Sequence, residues 1–345
     1  MRISDFDYEL PEELIAQEPL AERDASRMLI VDRKTQSWSD ARFSALPTML
    51  RASDALILNN TRVFPARLQG TRVPSGGAIE LLPLRRIEPN IWETLTRPAR
   101  RLQKGSRIAF SSSSLQAEVV ESLDKGVRLI RFESDRPFDE VIEELGDTPL
   151  PPYIKRDQHS ARDDRERYQT IYASERGAIA APTAGLHFTE SVLNELGTRG
   201  VRVAEITLHV GYGTFEPVRV DDVAQHHVAR EWFSIPSEAE QEINQAHARG
   251  GRVVAVGTTT TRALEASVDA GGNVCAGQGW ADLTITPGYR FRAVDALVTN
   301  FHLPRSSLLM LVSAFAGRDL ILSAYRHAVR QGYRFYSYGD CMLIV

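Results

Sequence analysis

Histidines stand in three polar segments of this sequence, and histidine is the side chain best suited to move protons near neutral pH. His187 lies in a segment rich in Pro, Gly and Thr, His209 precedes two glycines, and His302 stands between an Asn-Phe pair and a Leu-Pro pair. Each segment follows apolar residues that suit a strand. A lone histidine more often has a structural role, so proton transfer and structural hydrogen bonding both stay open for each.

Other polar segments suit the binding of a substrate. Four threonines at 258–261 precede Arg262; one of them suffices to cap a helix, so the run is expected to turn amides and hydroxyls toward a carboxylate or another anion. Residues 59–62, Asn-Asn-Thr-Arg, suit recognition of a base or carboxylate, and an Asx turn explains them equally well. Asp340 is either a turn residue or a buried functional carboxylate, and its apolar neighbours favour the second.

Alternating strand and helix patterns are expected to position these segments. Short apolar or alternating runs predict strands at 55–58, 201–210, 252–257 and 296–301, with a last strand within 333–345. Helices are expected to begin after Thr189, at a capping box at 237–240, at 258 and at 318. This order predicts an α/β fold with a largely parallel sheet or an α/β barrel, in which ligands bind where strands end.

Composition and charge limit the classes to which the protein can belong. The chain has 345 residues, is 43% hydrophobic and carries a formal net charge of -4, which indicates a globular protein of roughly two domains. Residues 62–107 carry a net charge of +7, so the remainder carries -11. The overall balance excludes a protein that coats nucleic acid with its whole surface, and any contact with nucleic acid must be local.

The basic stretch falls in a segment whose pattern of apolar and turn residues differs from that of the rest of the chain. Turn residues at 73–77 and 88–90 separate short apolar runs, which predicts a small antiparallel β domain at 64–150, inserted into a body formed by 1–63 and 151–345. Its Arg-rich edge suits binding of a polyanion by counterion release. Charge alone favours the alternative, a solvated strand face that protects a sheet edge from aggregation.

Several classes of protein are excluded by missing motifs. No G-x-G-x-x-G, P-loop, G-x-S-x-G or H-E-x-x-H occurs, and Pro217 disfavours the helix that a Rossmann-type methyltransferase loop at 209–213 would need. The two cysteines have no metal-ligand spacing, so no metal site is expected.

The longest apolar stretch, 308–317, is about half of what a membrane span needs. The charged first ten residues do not resemble a signal peptide, and we expect a cytoplasmic protein without membrane contact.

Five segments in collinear order closely resemble the signature blocks of the S-adenosylmethionine:tRNA ribosyltransferase-isomerase family of the queuosine pathway. These segments are 58–68, 180–189, 209–215, 299–304 and 337–340, and smaller blocks agree along the whole chain. Departures are small: Thr260 and Thr261 stand where Ser-Val is common, Cys341 where Ala is usual, and 52–54 differ from the usual Gly-Asp. Thr261 and Cys341 touch no inferred reacting group.

The resemblance implies a barrel-like α/β body with an inserted small antiparallel β domain. It also implies that the ribosyl part of S-adenosylmethionine is transferred and isomerised onto 7-aminomethyl-7-deazaguanine at the tRNA wobble position. The products are epoxyqueuosine-tRNA, adenine and methionine. S-adenosylmethionine is thus a ribosyl-donor substrate, and no prosthetic group or metal is expected. The chemistry needs a base beside the sulfonium and an acid for departing adenine.

The resemblance also gives roles to residues of this sequence. His187, His209 and His302 are candidates for proton transfer, and Asp340 for orienting one of them or facing the sulfonium; which histidine is base and which acid stays open. The expected substrate-binding residues are Asn59, Asn60, Thr61, Arg62, Thr183, Gly185, Gly211, Gly213, Thr214, Thr258, Thr259, Thr260, Arg262, Asn300 and Tyr338. The expected tRNA phosphate contacts are Arg97, Arg100, Arg101 and Lys104. The protein is expected to be a monomer. An RNA methyltransferase and a non-catalytic RNA-binding protein remain competing hypotheses.

Overall fold

The computed structural model describes residues 1–111, 114–156, 161–211, 213 and 218–345, without the side chains of 161–163. The chain divides into two compact units. The larger unit comprises Met1–Arg62, Pro152–Lys155 and Arg167–Val345, and the smaller unit comprises Val63–Pro151 and Arg156–Glu166.

The described residues form both strands and helices. The strands are β1 Arg27–Asp32, β2 Ser37–Arg42, β3 Ala55–Asn59, β4 Thr61–Val63, β5 Leu68–Val73, β6 Ala78–Glu88, β7 Ile91–Arg97, β8 Arg107–Ala109, β9 Leu115–Ser122, β10 Val127–Ser134, β11 Glu175–Ala178, β12 Arg202–Leu208, β13 Glu231–Ile235, β14 Val253–Val256, β15 Gly277–Ala281, β16 Ala296–Asn300 and β17 Cys341–Ile344. The helices are α1 Leu46–Met49, α2 Phe138–Leu145, α3 Ala161–Arg167, α4 Glu190–Thr198, α5 Ser237–Ala248, α6 Thr258–Ala266, α7 Ser307–Ala316 and α8 Arg318–Arg330.

A mixed sheet organises the larger unit. Within the described residues it has nine strands in the order β15-β13-β12-β3-β14-β16-β17-β1-β2. The central strands β12, β3, β14 and β16 are parallel, whereas β13, β15 and β2 are added antiparallel and β17 runs antiparallel to β16. The α/β class is confirmed. The sheet is mixed because neighbours such as β1 and β2 are joined by a tight turn, which requires antiparallel strands, whereas β1 itself lies parallel to β17.

Burial on both faces explains the continuous apolar runs of the central strands. Every residue of β3, β14 and β16 is buried. Leu56, Val254 and Val298 pack on one face with Val192 and Leu196 of α4. The buried strands hold their polar ends rigidly, and those ends carry the candidate site residues.

Helix ends were predicted with mixed success. Thr189 caps α4 as expected, since its hydroxyl accepts a hydrogen bond from the amide of Val192 at 3.3 Å. The capping box at 237–240 is wrong: Pro236 occupies the N-cap, and the helix therefore already includes Ser237. Among the described residues no single helix is long and apolar enough to cross a membrane. Only α7 and α8 taken together reach that length and composition, across a bend of 116°.

The smaller unit contains a closed antiparallel barrel in the order β10-β7-β6-β5-β8-β9. Alternate residues of β9 are buried, among them Leu115, Ala117 and Val119, so one side of the strand faces the barrel core. Closure pairs the two outer strands, β9 and β10, with each other. A closed barrel has no free edge to protect, which weakens edge protection as the reason for its many arginines.

Candidate active site

Polar segments after the central strands line one cleft of the larger unit, with about 490 Å³ of empty space. The lining residues are Ala181, Pro182, Thr183, Ala184, Val210, Gly257, Thr258, Thr259, Thr299, Asn300, His302, Leu308, Tyr336 and Ser337. The fold therefore brings together residues that lie far apart in the sequence.

A second cleft adjoins the first at Ser337 and has about 310 Å³ of empty space. Its lining includes Arg23, Ser26, His187 and Tyr338. The ring of Tyr338 packs edge-on against Tyr168, with centroids 5.9 Å apart. His187 and Tyr338, both predicted site residues, thus share this second cleft.

A chain of hydrogen bonds centred on His187 connects the two clefts. The Ser26 hydroxyl donates to the carbonyl of Arg23 at 3.1 Å, so its oxygen accepts from Nδ1–H of His187 at 2.7 Å. On the other side, Nε2 of His187 accepts from the amide of Asn300 at 3.1 Å, and Asn300 Oδ1 accepts from the hydroxyl of Thr183 at 2.9 Å. We assign the Nδ1–H tautomer from this direction of donation. The chain leaves the lone pair of His187 on Nε2.

Burial keeps His187 neutral. Desolvation, together with the charges of Arg23 and Arg334, lowers the pKa of His187 to about 4. His187 is the last residue of a single 3-10 turn, Thr183–His187, whose N-cap residue is Pro182. Gly185 is required in that turn, because a Cβ atom there would lie 2.2 Å from the hydroxyl oxygen of Tyr172. A neutral, oriented histidine is suited to act as a general base.

His302 lies in the first cleft and is also buried. Its Nε2 is 3.0 Å from the hydroxyl of Thr299. Its backbone amide donates to the Tyr325 hydroxyl at 3.1 Å, and its carbonyl accepts from the Tyr8 hydroxyl. Desolvation lowers the pKa of His302 to about 3, so this ring is neutral as well.

His209 lies outside both clefts, and its ring lies between Trp232 and Gly177. Its ring stacks on Trp232 with centroids 4.9 Å apart, and a Cβ atom on Gly177 would lie 2.5 Å from its Nε2. Nδ1 is 2.8 Å from the hydroxyl of Thr61, which also donates to the carbonyl of Glu175 at 3.4 Å. Desolvation lowers the pKa of His209.

The Asn-Asn-Thr-Arg segment is largely satisfied by the protein itself. The Asn59 side chain donates to the carbonyl and accepts from the amide of Leu208, both at 3.0 Å. Asn60 accepts from the Thr207 hydroxyl and donates to Glu205. Arg62 is exposed. The amides thus join the end of β3 to β12, and Thr61 contacts His209.

The threonines of the run at 258–261 have different roles: some line the first cleft and others form hydrogen bonds within the fold. Thr258 and Thr259 line the first cleft, whereas the Thr260 hydroxyl donates to the carbonyl of Val256 at 2.6 Å and its side chain is fully buried. Arg262 forms a buried ion pair with Glu231 and donates to the carbonyls of Ala229, Ala281 and Leu283. The donors of Arg262 are therefore taken up mainly by the fold.

The glycines that follow His209 are anchored by the same ion pair. The amide of Gly211 donates to Glu231 at 2.9 Å, and a Cβ atom on Gly213 would lie 2.8 Å from Cβ of Ala229. Thr214 lies outside the described residues. Glu231 thus contacts both the amide of Gly211 and the guanidinium of Arg262.

Asp340 acts within the fold as a double acceptor. Its two carboxylate oxygens accept from the amides of Arg27 and Arg334, each at 2.8 Å. Desolvation raises the pKa of Asp340. The carboxylate fixes the start of β17 against the start of β1 and against the chain that carries Arg334.

The expected tRNA contacts lie in one exposed loop of the smaller unit. All four residues are exposed: Arg97 is the last residue of β7 and pairs with Glu80, and Arg100, Arg101 and Lys104 lie between β7 and β8. Beneath them, buried Arg128 donates to the carbonyls of Ala99, Leu102, Leu123 and Val127. Arg128 thereby fixes the backbone of the loop and leaves its basic side chains facing solvent.

Several residues of the candidate site were missed from the sequence. They are Ser26, Arg23, Gly177, Trp232, Glu231 and Arg128. Ser26 is 161 positions from His187, and no local pattern connects the two. A buried acid or arginine is recognisable only when its partner is known.

Comparison with known proteins gives one family. The model of the queuosine biosynthesis protein family matches residues 3–344. The S-adenosylmethionine:tRNA ribosyltransferase-isomerases of Symbiobacterium thermophilum and Desulforamulus reducens are 53% and 50% identical over 345 residues, with 100% of each chain covered. A solved S-adenosylmethionine tRNA ribosyltransferase from Thermotoga maritima is 38% identical, with a TM-score of 0.56, covering 99% of this chain and 100% of that one.

Proposed function

The chain belongs to the queuosine biosynthesis protein family and is a transferase-isomerase, and on that premise we propose its reaction. It transfers and isomerises the ribosyl part of S-adenosylmethionine onto 7-aminomethyl-7-deazaguanine at the wobble position of a tRNA. Epoxyqueuosine-tRNA forms, and adenine and methionine are released. The observation that supports this most is neutral His187, held by hydrogen bonds between two adjoining clefts.

His187 is our candidate for the base. The reaction needs removal of a proton from the carbon next to the sulfonium, where the positive sulfur stabilises the developing carbanion. In the proposed step the substrate C–H replaces the Asn300 amide at Nε2 of His187. Nδ1–H then donates to Ser26, whose own proton lies toward the Arg23 carbonyl. Both acceptors stabilise the imidazolium as it forms.

The methionine carboxylate is proposed to bind at the start of α6. Gly257 is the N-cap residue and supplies no side chain to the first amides of the helix. Thr258 and Thr259 line the cleft at this end. Free amides and hydroxyls at a helix N-terminus favour a carboxylate. His302, in the same cleft, has a neutral ring, so we propose that it hydrogen-bonds departing adenine and does not supply a proton as an imidazolium.

The tRNA is proposed to contact the basic loop of the smaller unit. Arg100, Arg101 and Lys104 project from a backbone that buried Arg128 holds in place. Exposed guanidinium and ammonium groups neutralise phosphates and release their counterions. This proposal assigns binding to the loop and chemistry to the larger unit.

Product analysis tests the proposed reaction. Wild-type protein, S-adenosylmethionine and tRNA carrying the deazaguanine should yield adenine and methionine in equal amounts. His187→Gln should lower the rate by about 10²- to 10⁴-fold while tRNA binding is retained. His327→Gln is the control, since His327 pairs with Asp40 at the surface. Release of S-adenosylhomocysteine would identify a methyltransferase, and tRNA binding without turnover would identify a binding protein; either result contradicts the proposal.

A further inference from the structure

We propose that the outer face of β12, β13 and β15 binds an unstacked base of an RNA loop on the ring of Trp280. The inference rests on the proposed function for the identity of the RNA, a tRNA anticodon arm. It adds a base-binding surface to the larger unit, separate from the two clefts and from the basic loop of the smaller unit.

The register of the strands places two tryptophans side by side. Trp232 of β13 and Trp280 of β15 are direct cross-strand partners, so their side chains stand on the same face of the sheet. The opposite face is core, where Phe233, Ile235 and Ala281 are buried. Trp280 is 45% exposed. An indole this exposed on a sheet surface offers a flat ring to a ligand.

A guanidinium stacks on one face of this indole. Arg230 lies over the ring of Trp280, with Cζ 4.9 Å from the ring centroid. Proteins hold unstacked nucleobases on aromatic rings and on arginine planes, and Arg230 with Trp280 supplies one of each. The arrangement is sequence-tolerant, because every base has a π face.

This stacking surface is continuous with a candidate catalytic residue. Trp232 stacks on His209 with an interplanar angle of 20°, and His209 contacts Thr61. A base on Trp280 would therefore lie beside Trp232, the cross-strand partner of Trp280 whose ring packs on His209.

The rest of the face favours a base over a protein partner. Of the large apolar side chains that the structure describes as exposed, this face carries only Val203 and Trp280. Its other members include Glu205, Thr207 and Gln278, which are polar. Protein interfaces need a larger apolar centre. The acid Glu205 accepts from Asn60 and lies on β12, two strands from Trp280.

Binding of an unmodified RNA anticodon stem-loop to the full chain tests the inference. Trp280→Ala should weaken binding about tenfold, and Trp280→Phe should keep most of the affinity because a ring remains. Arg230→Ala should weaken binding by a smaller factor. Trp38→Ala is the matched control and should bind as wild type, since Trp38 lies on β2 at the opposite edge of the sheet and packs on His327.

The salt dependence separates stacking from phosphate contacts. Trp280→Ala should shift log affinity without changing its slope against log salt, because no charge is removed. Equal binding of Trp280→Ala and wild type would overturn the inference. So would a change from dimer to monomer in Trp280→Ala with RNA affinity unchanged, which would make β15 a contact between two copies.

Failure of the inference and failure of the proposed function are distinguishable. Stem-loop binding needs no turnover, so its dependence on Trp280 is measured whether or not adenine is released. Wild-type protein that releases adenine and methionine while Trp280→Ala binds RNA normally keeps the proposed function and rejects the stacking surface.

Discussion

Acidification is expected to destabilise the protein through two buried histidines. The folded-state pKa values of His187 and His302 are about 4 and about 3, below the ordinary value of 6.5. The unfolded chain therefore binds more protons than the folded chain between these values. Stability contributed by the neutral rings is present above pH 6.5 and is lost as the pH falls toward the folded-state values.

The magnitude follows from these pKa values. Between about pH 7 and pH 5, protonation stabilises the unfolded chain by about 2 kcal/mol for each histidine, whereas both folded-state rings stay almost unprotonated. His187 and His302 together lower the free energy of unfolding by about 4 kcal/mol over this range. Since proteins are stable by about 5–15 kcal/mol, this is a large fraction.

Urea unfolding at pH 7, 6 and 5, followed by circular dichroism, measures the effect. His187→Asn and His302→Asn should each reduce the loss between pH 7 and pH 5 by about 2 kcal/mol relative to wild type. His247 is the control of opposite sign: its hydrogen bond to Asp295 raises the pKa of His247. His247→Asn should therefore enlarge the loss. If both buried variants lose stability as steeply as wild type, the neutral assignment of these rings is wrong.

Three further variants test separate parts of the structure. Replacing both Arg100 and Arg101 by Glu should weaken tRNA binding and lower the salt slope of log affinity by about one per lost phosphate contact, measured from low to high salt. Gly177→Ala places Cβ within 2.5 Å of His209, which should cost about 1–3 kcal/mol of stability in urea unfolding and reduce turnover. Glu231→Ala leaves the buried guanidinium of Arg262 without its acid and should cost about 3–5 kcal/mol by the same measurement.

Each of these substitutions has a control elsewhere in the chain. Arg199→Glu reverses an exposed charge at the C-cap of α4 and should leave the salt slope unchanged. Gly197→Ala adds a Cβ with nothing within 4 Å and should stabilise α4 by up to about 1 kcal/mol. Asp319→Ala removes an exposed ion pair with Arg318 and should cost less than about 1 kcal/mol. Matching effects in test and control would contradict the roles assigned here.

Local patterns were sufficient to predict the strands that carry the site. β3, β14 and β16 are continuous apolar runs because both of their faces are buried, and the polar residues that follow them mark where each strand ends. Thr258 was chosen from its place after such a strand and Thr183 and Asn300 from the family resemblance, and all three line one cleft.

The roles of other residues depend on partners that are distant in sequence or on the way the chain folds around them. Asn59 resembles a recognition residue in sequence, but both polar atoms of its side chain bind the backbone of Leu208. Thr260 resembles Thr258, but the helical turn directs its hydroxyl back to Val256. Buried Arg128 was indistinguishable from its exposed neighbours, because burial depends on closure of the barrel and not on local composition.

The fate of the ribose carbons of S-adenosylmethionine tests the central proposal most directly. The protein is incubated with tRNA and S-adenosylmethionine labelled either in the ribose or in the methyl group, and the digested tRNA is analysed by mass spectrometry. Ribosyl transfer predicts that the ribose label appears in the modified nucleoside and that the methyl label leaves with methionine. Methyl label in the RNA, with ribose label released in S-adenosylhomocysteine, would contradict the proposal.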